Sequence, residues 1–283
     1  MFFLIYTASA FSSGAKLFNY MFGTDYTLSL TIGALIIISY TFLGGFFAVC
    51  WTDLIQGLLM FAALVVVPLV CIIQTPDVSA VQFLNADGAV ISNYLNLFEN
   101  VNGDIAWTTI LSGLAWGLGY FGQPHILVRF MSIEKPSMIK KSSIVAIIWV
   151  VISLFSAVMI AYFGRMIMGE ELLTHGNQKL VFIAMSRKFF PAGICGLLLA
   201  AIIAASISTA DSQLLVASSS FTADLYKPFF RKGASEKETL LIGRVLVLVL
   251  SLIAFAIANS KGSGAQAIMD MVCLLYTSPS PRD

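Results

Sequence analysis

Residues 189–213 read FFPAGICGLLLAAIIAASISTADSQ, a run without a charged side chain until Asp211. A helix needs about 20 apolar residues to cross the hydrocarbon core of a bilayer, and this run supplies them. Near its end it packs a carboxylate and three hydroxyls into Ser208-Thr209-Ala210-Asp211-Ser212. Charge inside a membrane helix is costly, rare and a marker of ion or substrate pathways. The cluster is where a bound cation is expected.

The rest of the chain agrees with a membrane reading. Of its 283 residues 58% are hydrophobic and 11% charged, and the mean hydropathy is +0.89. A soluble domain carries about 25% charged residues, so this chain cannot cover itself in water; it reads as an all-α polytopic protein partnered by the lipid bilayer. A net charge of +1 points neither to nucleic acid nor to an acidic partner. The cysteines, Cys50, Cys71, Cys195 and Cys273, lie singly in apolar stretches, which argues for packing rather than a metal site or disulfide framework. Sequence signatures of hydrolases, P-loop enzymes and dinucleotide enzymes are missing, so no enzymatic activity is expected.

About seven spans follow when charges are read as boundaries: roughly 1–20, 28–49, 53–74, 106–128, 142–164, 190–216 and 243–260, with an eighth starting near 266. The first is interrupted by Gly14 and Lys16. The chain opens in Met1-Phe2-Phe3-Leu4-Ile5-Tyr6 with neither a basic region nor a cleavage site, so it reads as the middle of a membrane segment. At the other end, residues 276–283 (YTSPSPRD) stop a helix with two prolines and read as a non-native tail. That leaves 1–275 as a single transmembrane domain, expected to be a fragment at both ends. Loop charges give the orientation. The 75–105 loop has acids but no Lys or Arg and should be external. The 129–141 and 217–244 loops are basic and should be cytoplasmic, and the mixed 165–189 loop is external by alternation.

Three places could carry chemistry. On the 190–216 helix, Ala201, Ala204, Ala205, Ser208, Thr209 and Ser212 share a stripe. Small residues of this kind make a close helix-packing face, but Asp211 beside Ser208 favours a cation held by hard oxygen ligands. Asp53 opens the 53–74 span, where it is either a first-turn acid or the partner of Asp211 in holding a cation. The 106–128 segment carries Gly113, Gly117, Gly119, Gly122 and Pro124. Spans interrupted by Gly and Pro point to transporter binding sites, because unwound backbone offers free N–H and C=O groups. Trp116 and Tyr120, four residues apart, are then either a structural aromatic pair or a pocket wall. Arg129 is most simply a positive-inside anchor, and His125 a hydrogen-bonded structural residue.

The run Trp116-Gly-Leu-Gly-Tyr-Phe-Gly-Gln-Pro-His125, with Trp51-Thr-Asp53, Ser208-Thr-Ala-Asp-Ser-Gln-Leu-Leu-Val216 and Thr222-Ala-Asp-Leu-Tyr-Lys227, resembles the sodium/solute symporter family, and its proline-transporting branch in particular. The similarity covers essentially residues 1–272. It implies an inverted-repeat, broken-helix transporter fold in a bacterial inner membrane, with Na⁺ as the coupling ion and L-proline as the substrate. Carried over by position, Ala205, Ser208 and Thr209 would hold Na⁺. Tyr6, Trp116, Tyr120, Gln123 and Pro124 would line the proline pocket. Asp53 matches a carboxylate tied to Na⁺ dependence, and Asp211 and Ser212 match positions of a second cation site or a polar network. The family's first core helix, which supplies the other half of both sites, would precede Met1. Two alternatives stay open: symport of another small organic solute, and a membrane sensor module of a signalling protein built on this fold.

Overall fold

The computed structural model describes residues 2–74, 103–120, 124–174 and 180–260, with residues 90, 96, 98 and 99 of the loop between the first two stretches. Through them run the helices α1 (Phe2–Phe22), α2 (Tyr26–Gln74), α3 (Trp107–Tyr120), α4 (Pro124–Met131), α5 (Ile139–Thr174), α6 (Val181–Phe189), α7 (Ala192–Ser220) and α8 (Glu236–Asn259). Among the described residues there is no strand, only an isolated bridge between Glu99 and Ile105. By length and composition α2, the stretch Pro136–Met168, the stretch Ala192–Phe230 and α8 can each cross a membrane. The expected first span falls on α1, which carries Ser12, Ser13, Gly14 and Lys16 and is not among these four.

The expected spans 28–49 and 53–74 form one helix of 49 residues that is broken at Gly45 rather than ended at Asp53. At 1.5 Å per residue such a helix is about 70 Å long, roughly twice a bilayer core. The kink is therefore what makes two spans of it. Gly45 has φ 56° and ψ −148°, which a side chain would oppose. A Cβ on Gly44 would stand 2.2 Å from that of Ala48. The Gly44-Gly45 pair thus permits both the turn and the tight packing after it. Asp53 consequently lies inside a helix and is no N-cap. The cap of α2 is Asp25, whose Oδ2 accepts from the backbone N–H of Thr27 at 2.8 Å.

The 217–244 stretch is less of a loop than its charge suggests. The α7 helix runs to Ser220 and continues as a π-helix over Phe221–Phe230, so the connection to α8 is only residues 231–235. Ser235 caps α8 by accepting from the N–H of Glu238 at 3.3 Å, with Glu236 and Glu238 in the first turn where the helix dipole favours acids. The interrupted 106–128 segment appears as α3 and α4 on either side of residues 121–123, which lie outside the described residues, as do the segment starting near 266, the tail 276–283 and Cys273.

The helices gather into two compact units. The first takes Met1–Gly57, Trp116–Met131 and Ile202–Asp283. Its core is alanine-rich: Ala8, Ala15, Ala34, Ala210, Ala254 and Ala258 are buried around Phe11, Leu30, Ile37 and Leu214. Small residues let backbones approach closely, which is how membrane helices associate where water provides no hydrophobic drive. The Tyr26 hydroxyl fastens α2 to α8 by donating to the Ala258 carbonyl at 2.8 Å, and it also bonds Ser12 of α1 at 3.0 Å. The second unit takes Leu58–Ala115 and Ser132–Ala201. Its core holds Ala63, Val67, Cys71, Ile160, Phe163, Met185 and Leu198. Buried Cys71 and Cys195 pack as small apolar groups there.

Candidate functional site

The polar turn of α7 presents two unlike arrangements, both within the first unit. On one side the Ser208 hydroxyl donates to the Ala205 carbonyl at 3.1 Å, and the Thr209 hydroxyl donates to the same carbonyl at 2.9 Å. Hydroxyls one turn after a carbonyl commonly back-bond in this way. Each has a single hydrogen and two lone pairs. With the hydrogen committed to Ala205, each oxygen keeps its lone pairs for a further partner. Ala205, Ser208 and Thr209 are half-buried, so that surface stays within reach of a ligand. The stripe proposed for packing divides accordingly: Ala201, Ala204 and Ser212 are buried, while these three are not.

On the other side, Asp211 is fully buried and Ser212 is 7% exposed. The Tyr40 hydroxyl of α2 donates to Asp211 Oδ2, while Oδ1 has no hydrogen-bond partner among the described residues. The Ser212 hydroxyl donates to Asp53 Oδ2 at 3.3 Å. The Arg129 guanidinium, in the last turn of α4, reaches both: Nη2 donates to Ser212 Oγ at 2.7 Å and forms an ion pair with Asp53 Oδ2. Asp53 is 10% exposed and Arg129 44%. Three helices thus meet at one carboxylate. Among the described residues no group of three His, Cys, Asp or Glu side chains is placed to hold a metal ion. The oxygens at this turn are those of the Ser208, Thr209 and Ser212 hydroxyls, the Ala205 carbonyl and the Asp53 and Asp211 carboxylates.

A profile of the sodium:solute symporter family matches residues 1–279. The chain belongs to that family. It is 40% identical over 272 residues to the osmoregulated proline transporter OpuE of Bacillus subtilis, covering 96% of this chain and 54% of that one. It is 41% identical over 262 residues to the sodium/proline symporter of Escherichia coli, covering 91% of this chain and 51% of that one. Sodium/proline symporter 2 of Staphylococcus saprophyticus is 42% identical over 266 residues, 92% of this chain and 50% of its own length. The chain therefore spans about half the length of these curated relatives. A Na⁺-coupled sialic acid symporter, solved in a substrate-bound outward-open state, matches with a TM-score of 0.68 at 19% identity, over 97% of this chain and 59% of that one. That likeness supports the all-helical, broken-helix transporter fold expected from the sequence.

In this member of the family the six residues expected at cation sites all fall near one turn. Ala205, Ser208, Thr209, Asp211 and Ser212 are on α7, and Asp53 is joined to Ser212 from α2. The residues expected at the substrate are less fully described. Tyr6 is half-buried on α1, Trp116 and Tyr120 end α3, and Pro124 opens α4. Gln123 and the side chains of Trp116, Tyr120, Pro124 and His125 lie outside the described residues. Two members of the polar cluster are not singled out by the sequence. Arg129 is more than a positive-inside anchor, because it pairs with Asp53, 76 positions earlier in the chain. Tyr40 is an ordinary aromatic in an apolar run until Asp211 is seen against it. The signal that could find Arg129 is that Asp53 needs a cationic partner inside the membrane.

Proposed function

We propose that this chain belongs to a symporter that couples inward Na⁺ movement to uptake of L-proline across a bacterial plasma membrane. The observation that carries the reading is the pair of half-buried hydroxyls on Ser208 and Thr209 that converge on the Ala205 carbonyl, in a chain about 40% identical to several sodium/proline symporters. Na⁺ is a hard cation that takes oxygen ligands. The Ser208 and Thr209 hydroxyls ligate it, and Ala205 holds them in place; direct ligation by the Ala205 carbonyl follows when one hydroxyl turns away. Tyr6, Trp116 and Tyr120 supply apolar walls for the pyrrolidine ring. Gln123 and Pro124, beside the α3–α4 junction, offer backbone groups for its carboxylate or amine.

Coupling follows from shared elements. An ion that orders α7 stabilises the substrate-competent arrangement, and by linkage proline raises the affinity for Na⁺ by the same factor. The test is proline uptake by the full-length protein in proteoliposomes. Ser208→Ala or Thr209→Ala is expected to raise the Na⁺ concentration for half-maximal uptake. Tyr120→Ala is expected to weaken proline affinity more than Na⁺ affinity. Unaltered Na⁺ dependence in both hydroxyl variants would sink the ion assignment. Failure of unlabelled proline to compete, where another solute does, would move the substrate assignment.

A further inference from the structure

The α7 helix is longer than a membrane needs. With its π-helical extension it runs 39 residues from Ala192 to Phe230, roughly 55 Å of helix against a hydrocarbon core of about 30 Å. With the span beginning at Ala192, the last turns, Phe221–Phe230, reach the headgroup level or pass it. Their surface is nevertheless apolar. Phe221, Leu225 and Phe229 recur every four residues, close to one helical turn, and all three are exposed together with Phe230. Phe229 and Phe230 are 77% and 74% exposed. The face they present is fixed. Tyr226 stacks on Phe230 with ring centroids 6.4 Å apart, and its hydroxyl donates to Glu238 Oε1 at 2.8 Å. Arg231 pairs with the same oxygen at 2.9 Å, so the segment is clasped to the first turn of α8.

Around these rings the free charge is basic. Arg231 is spent on Glu238, but Lys227, Lys232 and Lys237 are exposed and make no ion pair among the described residues. Arg244, further along α8, is a fourth such base, against two unpaired acids, Asp224 and Glu236. Exposed rings alone would suit any bilayer interface, and lysines alone would suit water. Together on one short segment they match the boundary between acyl chains and anionic headgroups. The basic 217–244 stretch is read as cytoplasmic, and the cytoplasmic leaflet is the one with a negative surface potential.

We propose that Phe221–Phe230, with Lys227, Lys232 and Lys237, is a docking surface for anionic phospholipid headgroups of the cytoplasmic leaflet. The Phe229 and Phe230 rings enter the acyl boundary, and the lysines lay their stems along it while their ammonium groups meet the phosphates. Lipid charge then holds the end of α7 and, through Tyr226 and Arg231, the start of α8. The inference goes beyond the transport reading and does not depend on which solute or ion is carried.

Tryptophan fluorescence of the full-length Phe229→Trp protein in nanodiscs tests this, with the wild type supplying the background of the native tryptophans. The discs mix phosphatidylcholine and phosphatidylglycerol, with brominated acyl chains on one lipid or the other. The emission gained by Phe229→Trp should be quenched by both brominated lipids, and at equal mole fraction at least about twofold more by phosphatidylglycerol. That preference should shrink as salt is raised and vanish when Lys227→Gln, Lys232→Gln and Lys237→Gln are combined. Emission quenched by aqueous iodide and by neither lipid would place the segment in water, as a surface for a cytosolic protein, and would overturn the proposal. Equal quenching by the two lipids, or a preference that survives the triple substitution, would overturn it as well. Phe230→Trp carries the same readout if Phe229→Trp does not purify. Na⁺-driven proline uptake is measured separately, so failure here leaves the transport reading standing, and failure there leaves this one.

Discussion

The two sides of the α7 turn, separated in sequence only by Ala210, satisfy their polar groups by opposite means. Ser208 and Thr209 bond to a carbonyl three and four positions earlier in their own helix, and need no other element. Asp211 and Ser212 depend on Tyr40, Asp53 and Arg129, at sequence separations of 171, 159 and 83. A locally satisfied hydroxyl costs the fold little to keep and can exchange its partner for an ion. A buried carboxylate held by distant helices is part of what holds those helices in register, because leaving it unpartnered exacts a desolvation penalty. The comparison teaches that function and stability are divided within a single turn. Variants on the first side should alter Na⁺ dependence and spare stability; variants on the second should do the reverse.

The largest effect is expected for Ser208→Ala combined with Thr209→Ala. Losing both hydroxyl ligands should weaken Na⁺ activation of uptake by about a hundredfold, or about 2.7 kcal/mol. Chemical unfolding of the same variant without Na⁺ should stay close to the wild type. Next comes Tyr40→Phe, which strips the fully buried Asp211 of its donor. It should cost about 2 kcal/mol of stability, read by denaturant or thermal unfolding in detergent. Sodium affinity should survive in the folded fraction. Swapped readouts for these two variants would break the comparison.

Gly45→Ala tests the kink that brings Tyr40 and Asp53 of α2 to the same turn of α7. Its backbone, in a region open essentially to glycine alone, should make the alanine cost about 1–3 kcal/mol, seen as a lower unfolding midpoint. The smallest loss of stability is expected for Asp53→Asn, below about 1 kcal/mol, because Arg129 is partly solvated and screened. A loss comparable to that of Tyr40→Phe would move Asp53 into the group that holds the helices together.

Much of the fold is legible in the sequence because membrane helices announce themselves by length and apolarity. The runs within α5, α7 and α8 fall on the expected spans 142–164, 190–216 and 243–260. The boundary at Asp53 was misleading for a definite reason. A charge ends a span only when it must reach water, and Asp53 instead meets Arg129. The true break, at Gly44-Gly45, is a matter of backbone sterics that hydropathy does not register. The Ala205, Ser208 and Thr209 arrangement is displayed by the sequence itself, because its hydrogen bonds close within one helical turn. Tyr40 and Arg129 are not, since their roles arise only when α2, α4 and α7 pack.

The assignment of Na⁺ to the Ser208–Thr209 side is tested most directly by Na⁺ binding to purified full-length protein, comparing Thr209→Ala with Tyr40→Phe in the absence of proline. The expected result is a loss of Na⁺ affinity of about tenfold or more, roughly 1.4 kcal/mol, in Thr209→Ala, and affinity near the wild type in folded Tyr40→Phe. Undiminished Na⁺ affinity in Thr209→Ala, with affinity lost instead in Tyr40→Phe, would contradict it and put the transported ion on the Asp211 side of the turn.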